Sequence, residues 1–279
     1  MVKIQSIESN KLSYFHTLHQ FDKYAEVTTL EEFCEYYEWA KNNNIKVYIL
    51  GNGSNTLFTK KRVQSLIIKN KLPKFINTLD DLHLEVSSSV LVMDILKYCQ
   101  EKYLDSFYYL ASVPATVGGA LAMNAGRGRK HECTIYDYVE SITFLENGCV
   151  KTLKNHEVER SYRETIFTGK HDKIILSAVF KFTPLNSKDN LLIERLKWSK
   201  ENQDHSAPNC GSVFKLSYYP IMKIMKGFSI GEATFSPKTA NWIINKSQSS
   251  LPILILILIA KILHFLAFKK VKLEIITID

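Results

Sequence analysis

Glycine is scarce in this 279-residue chain, and six of its eleven glycines fall in two places: Gly51 and Gly53, then Gly118, Gly119, Gly126 and Gly128. Glycine loses more backbone entropy on folding than any other residue. It is kept where the chain needs positive φ or where another backbone or a ligand must come close. The first group sits in Leu50-Gly-Asn-Gly-Ser-Asn55, directly after a short apolar run from Lys46 that reads as a buried strand. A strand followed by a glycine turn and small polar residues can aim several backbone N–H groups at a phosphate. The pattern is not G-x-G-x-x-G, and no lysine follows as in a P-loop, so an ordinary strand-end turn is the plain alternative. The second group, Gly128 apart, lies in Ser112 to Gly126, S-V-P-A-T-V-G-G-A-L-A-M-N-A-G. Thr116, Gly118, Gly119, Ala120, Ala122 and Ala125 keep that surface small enough for a flat ring or a pyrophosphate to lie against backbone, and Asn124 offers a donor and an acceptor to a heterocycle. Tight packing between two elements is the alternative here. Two such loops in one chain point to a ligand whose phosphate-bearing tail lies across both.

The apolar and charged fractions, 46% and 23%, are those of a folded globular chain. The net charge of +8 has no polybasic block behind it. Lys60-Lys61-Arg62 and Arg127-Gly-Arg129-Lys130 are the densest runs, so a phosphate-rich small molecule is expected rather than nucleic acid. Five cysteines with no C-x-x-C spacing argue against a disulfide framework and a zinc ribbon, and fit a reducing cytosol. No metal site is expected. Cys210 reads as a structural thiol. The N-terminus lacks the apolar stretch of a signal peptide. G-x-S-x-G and H-E-x-x-H are absent, which removes the serine-hydrolase and zincin readings.

Helices are expected over Thr28–Lys41, with Thr29 and Glu32 as a capping box, and over Val90–Tyr103, Leu191–Asn202 and Tyr219–Lys226. Strands are expected at Ser65–Lys69, Leu82–Ser87 and Lys173–Thr183, with a Gly-Ser turn entering a strand at Gly211–Lys215 and a further element at Ala240–Asn245. A hairpin is expected about Glu146-Asn-Gly148. Residues 184–190 read as a linker. The mixture lacks regular βαβ alternation, which favours an α+β chain of two or three small domains. Leu251 to Phe268 is an apolar run rich in Leu and Ile, interrupted by Pro252, Lys261 and His264. A membrane span, a buried helix with Lys261 and His264 at its edge, and a local reading-frame error all fit it, and the buried helix is the expectation.

Taken in order, Gly51-Asn-Gly-Ser-Asn55, Val113 to Gly126, Ser161-Tyr-Arg163 with Ile166-Phe167, and Gly211-Ser-Val-Phe-Lys215 resemble the UDP-N-acetylenolpyruvoylglucosamine reductases, in the shorter form without an extra tyrosine-bearing loop. The resemblance implies a two-subdomain FAD-binding region of the PCMH/vanillyl-alcohol-oxidase type (residues 1–70 and 71–184) and a C-terminal α+β substrate domain (191–279). It implies FAD and NADPH as cofactors and a UDP-sugar substrate. It further implies a cytoplasmic monomer with no nucleic-acid or membrane partner. Gly51, Asn52, Gly53, Ser54 and Asn55 would hold the FAD pyrophosphate, and Thr116, Gly118, Gly119 and Asn124 would line the isoalloxazine and its tail. Arg163 would meet the substrate carboxylate, Ser212 would donate the proton, and Tyr162 and Lys215 would flank the substrate. The chain departs from the family pattern at Thr17-Leu-His-Gln20, which lacks a Gly-Gly, at Leu216-Ser217 in place of Asn-Pro, and at Thr239 in place of His. For the C-terminal catalytic glutamate, a gapless count reaches Ile276, and a two-residue deletion restores Glu274. A flavin-binding paralogue with a degenerate C-terminus that has lost or changed the reaction is the rival reading.

Overall fold

The computed structural model describes residues 3–169, 171–186 and 189–279, with backbone alone at 129 and 130. Its contacts divide the chain into two compact units that are not continuous in sequence. The first comprises 1–3, 25–52 and 66–197; the second comprises 4–24, 53–65 and 198–279. Residues 1–70, expected as one subdomain, are therefore shared between the two. The residue 52–53 boundary falls inside the first glycine motif.

The first unit is built on a five-stranded antiparallel sheet. Its order is Cys149–Lys154, Val139–Glu146, Lys173–Lys181, His83–Ser87, Ile76–Thr78. The first two strands are joined at Asn147-Gly148, both at positive φ (51° and 75°), the backbone of a two-residue hairpin turn. Val92–Glu101 is a helix whose buried residues Val92, Ile95, Leu96 and Cys99 follow the helical repeat. Phe107, Phe180 and Phe182 fill the same core, with ring centroids 5.6–6.1 Å apart. The Leu30–Asn42 helix starts on the expected capping box: the Glu32 N–H donates to Thr29 Oγ1 at 3.2 Å, and the Glu32 carboxylate accepts from Thr29 N–H. Val47–Leu50 pairs in parallel with Leu66–Lys69. Pro184, expected to open a linker, pairs with Leu104 in a short strand, and residues 187–188 of that linker lie outside the described residues.

The second unit packs around Phe15, Leu57, Val213, Phe235, Ile253 and Leu256. A small antiparallel sheet, Ser229–Ile230, Ala233–Phe235 and Ile243–Asn245, lies against the Leu251–Leu266 helix. Phe214–Leu216 pairs with Lys272–Leu273, and Ile276–Ile278 runs parallel to Thr56–Phe58. The Leu/Ile run is a helix of 16 residues, about 24 Å at 1.5 Å per residue. No helix among the described residues is long and apolar enough to cross a membrane. One expectation is corrected. His264 is not at the edge of this helix but fully buried (0% exposed). Its Nδ1 faces Ala260 O at 2.7 Å, and its Nε2 accepts the Tyr218 N–H at 2.9 Å. Both ring nitrogens are satisfied inside the core, so burial carries no unpaired polar group.

Candidate active site

In the first unit the two glycine loops meet. Val47–Leu50 ends in Gly51-Asn52, and the Asn52 Nδ2 donates to Pro114 O at 2.7 Å. A Cβ added at Gly51 would stand 2.6 Å from Thr116 Oγ1. That hydroxyl is already in use: it accepts the Gly119 N–H at 3.3 Å and caps the short Val117–Ala122 helix. Gly118 is held against the sheet by its N–H to Ser88 O at 2.9 Å, and a Cβ there would meet Ser88 Cβ at 2.9 Å. At Gly119 the nearest atom to an added Cβ is Thr116 Oγ1 at 3.4 Å, so this residue presents bare backbone to open space. The space is a small open cleft of about 90 Å³ bordered by Gly51, Thr116, Gly118, Gly119, Asn70 and Phe167, with Lys173 on its wall.

Two lysines of this region stand out only in three dimensions. Lys69, at the end of the parallel neighbour strand, donates its Nζ to Gly51 O. Burial, with Lys71 adding repulsion, lowers Lys69 to about 8. Lys173 is raised instead, chiefly by Glu146, which it meets at 2.5 Å, and by Asp172 at 3.2 Å.

Asn124, Tyr162 and Arg163 form a second cluster in the same unit. Tyr162-Arg163 is the two-residue turn between Arg160–Ser161 and Glu164–Thr165, with Arg163 in the left-handed region at φ 60°. Arg163 Nη1 donates to Asn124 O at 3.0 Å and Nη2 to Gly126 O, and the guanidinium lies 4.8 Å above the Tyr162 ring. These contacts fix the plane of the fork. Asn124 is also left-handed (φ 44°) and donates Nδ2 to Ser161 O at 2.8 Å. Its Oδ1 is buried with no partner. A buried unpaired acceptor is costly unless a ligand completes it.

In the second unit Gly53 takes φ 72°, and an added Cβ would stand 2.2 Å from Leu12 O. Its carbonyl accepts the Tyr14 N–H at 3.1 Å. Ser54 and Asn55 follow, half-buried. Cys210 packs behind this turn, with Sγ 3.5 Å from Thr56 O, and burial pushes its thiol up to about 12, the behaviour of a structural thiol. Gly211 turns the chain at φ 71°. Ser212 bridges Trp242 and is half-buried. Lys215 lies in the Phe214–Leu216 strand. The Glu274 N–H donates to Val213 O at 2.8 Å, and the Glu274 carbonyl accepts Asn55 Nδ2 at 3.0 Å. Ile276 is engaged one step further on: its N–H reaches Asn55 O at 2.9 Å and it pairs with Thr56. The backbone register thus sets Glu274 beside the neighbour of Ser212, and Ile276 beside the glycine turn.

Comparison with known proteins gives the family. Residues 21–153 match a family described as "FAD binding domain". The UDP-N-acetylenolpyruvoylglucosamine reductase of Aquifex aeolicus is 32% identical over 235 residues, covering 80% of this chain and 76% of that protein. The chain belongs to the UDP-N-acetylenolpyruvoylglucosamine reductase family. The Francisella tularensis reductase is 29% identical over 261 residues, 86% of this chain and 89% of its own. The crystal structure of the Thermus caldophilus reductase, 20% identical, aligns over all of both chains with a TM-score of 0.78, so the α+β fold is that of the reductases.

The glycine cradle and the orphaned Asn124 oxygen fit a flavin dinucleotide: bare backbone suits a pyrophosphate or ring, and a buried acceptor suits a heterocyclic N–H. Asn70, Lys69 and Lys173 were not distinguished by the sequence reading. The one available signal is that Lys69 and Asn70 close an apolar run, the end of a buried strand where a side chain reaches the next loop.

Proposed function

We propose that Ser212, Glu274 and Arg163 carry the chemistry of an FAD-dependent, NADPH-using reduction of UDP-N-acetylglucosamine enolpyruvate to UDP-N-acetylmuramate, a step of peptidoglycan precursor synthesis. The enzyme works in the cytoplasm as a monomer. The observation that carries this reading over that of an inactive flavin-binding relative is the register of Glu274. A carboxylate borne beside Val213, the neighbour of Ser212, supports a retained active site.

Bound FAD supplies the hydride chemistry. Gly51, Asn52 and the Gly53-Ser54-Asn55 turn hold its pyrophosphate, while Thr116, Gly118, Gly119 and Asn124 line its ring and tail. Arg163 pairs with the substrate carboxylate and stabilises negative charge as it grows there. Glu274 polarises the same carboxylate. Ser212 Oγ gives its proton to the substrate carbon beside the one that receives hydride. Serine is a weak acid in water, so the step depends on fixed alignment and on nearby positive charge, a role for Lys215. Tyr162 packs beside the substrate.

Stopped-flow measurement of the two half-reactions tests the assignment. Ser212→Ala and Glu274→Gln are expected to leave flavin reduction by NADPH unchanged and to slow flavin reoxidation by substrate by about 10²–10⁴-fold. Equal slowing of both halves removes Ser212 as the acid, and an unaffected second half makes Glu274 a bystander.

A further inference from the structure

The Leu251–Leu266 helix is apolar on two opposite faces. Its inner face, with Ile253, Leu256, Ile257, Ala260 and His264, is buried in the core of the second unit. Its outer face carries Leu251, Leu258, Ile262, Phe265 and Leu266, 46–79% exposed, at spacings that fall on one stripe. A surface helix ordinarily turns polar residues outward. Ile224 and Phe228, 77% and 42% exposed, lie at the end of and just after the Tyr219–Ile224 helix, which packs against this one.

The helix ends on an unusual residue. The Lys269 N–H bonds His264 O at 2.8 Å and the Phe268 N–H bonds Phe265 O at 3.0 Å, a Schellman arrangement. It puts Phe268 in the left-handed region at φ 54°, a position glycine normally fills. Phe268 is also 96% exposed. The chain thus holds an aromatic ring in solvent at a conformational cost, with no packing gain of its own.

Charge completes the picture. Between Phe214 and Leu273 lie nine lysines and one acidic residue, Glu232, a formal +8 that equals the net charge of the whole chain. Lys261, Lys269, Lys270 and Lys272 border the apolar stripe and are exposed. Lys269 sits 5.1 Å from the Tyr218 ring.

We propose that this face docks on the surface of an anionic lipid bilayer, with Phe265 and Phe268 in the boundary between headgroups and acyl chains and the lysines at the level of the phosphates. The helix lies on the membrane rather than through it, being shorter than the hydrocarbon core of about 30 Å. A second copy of the chain is a poorer occupant, because each copy would bring the same concentration of lysines to the contact.

Flotation of the FAD-loaded full chain with phosphatidylcholine vesicles, with and without phosphatidylglycerol, tests this at low and high salt. Binding to the anionic vesicles is expected, and weakening with salt. Phe268→Gly is the decisive variant, because glycine suits that backbone and folding is not at risk. It should lower vesicle partitioning about tenfold or more, the effect of withdrawing one buried aromatic side chain. Tm should be equal or higher, and flavin content and turnover without vesicles unchanged. Lys269→Glu with Lys270→Glu should abolish the preference for anionic lipid. Absence of vesicle binding, or equal binding to neutral and anionic vesicles, overturns the proposal. So does self-association in sedimentation equilibrium that Phe268→Gly removes without any vesicle binding, which would assign the face to a second copy.

Discussion

If the two glycine loops are one binding device, Gly51 and Thr116 must be energetically coupled. In Gly51→Ala the new methyl stands 2.6 Å from Thr116 Oγ1, so the hydroxyl has to rotate away and leave the Gly119 N–H. Loss of an N-cap costs about 1 kcal/mol, and residual crowding brings the total to about 1–3 kcal/mol. Against this, alanine reduces the entropy of the unfolded chain, worth about 0.4–1 kcal/mol. The net expectation for Gly51→Ala is a loss of about 1–2 kcal/mol. Thr116→Ala alone should cost about 1 kcal/mol through the cap. In the double variant the clash partner is gone, so adding Gly51→Ala to Thr116→Ala should be neutral or slightly stabilising. The expected coupling energy is therefore about 1–3 kcal/mol, measured by guanidinium denaturation of all four proteins, with FAD affinity followed in parallel by flavin fluorescence. Additivity within about 0.5 kcal/mol would refute the contact and, with it, the single cradle.

Gly53→Ala should be far more damaging than Gly148→Ala. Both glycines have positive φ, but only at Gly53 does the methyl strike backbone, 2.2 Å from Leu12 O, whereas Gly148 has nothing within 4 Å; comparable midpoints in a denaturation series would contradict this. Lys69 predicts a pH dependence. Its folded value is lowered from 10.5 to about 8, so the folded chain sheds this proton before the unfolded one does. Stability from this group is fully present above about pH 10.5, is lost as pH falls through about 8, and is flat below. After discounting for partial exposure the span is about 2 kcal/mol. Lys69→Met should erase that slope, and a slope that survives the substitution would assign it to another group.

Local signals carried much of the architecture. Thr29 and Glu32 announce the start of their helix, and Asn147-Gly148 its hairpin, because three or four adjacent residues contain the whole cause. The glycine loops were legible for the same reason, and so was the structural character of Cys210. The Tyr162-Arg163 turn was not, because it contains no glycine and Arg163 adopts the left-handed conformation through bonds to Asn124 and Gly126, far away in sequence. His264 was misplaced because its partner is the Tyr218 N–H, 46 residues earlier. Counting along the chain could not choose between Glu274 and Ile276, since strand pairing with Val213 and Asn55 sets where each is held. Nor can hydropathy tell which side of the Leu251–Leu266 helix is covered when both sides are apolar.

The bond from Asn55 Nδ2 to Glu274 O spans 219 positions, and Ile276–Ile278 runs alongside Thr56–Phe58 just after it. Synthesis proceeds from the N-terminus, so the segment made early must wait for residues made 219 positions later before its shape is complete. Closing so distant a pair is slow compared with helix or hairpin formation. Until that later segment arrives, the Gly53-Ser54-Asn55 turn lacks the strand and the carbonyl that brace it.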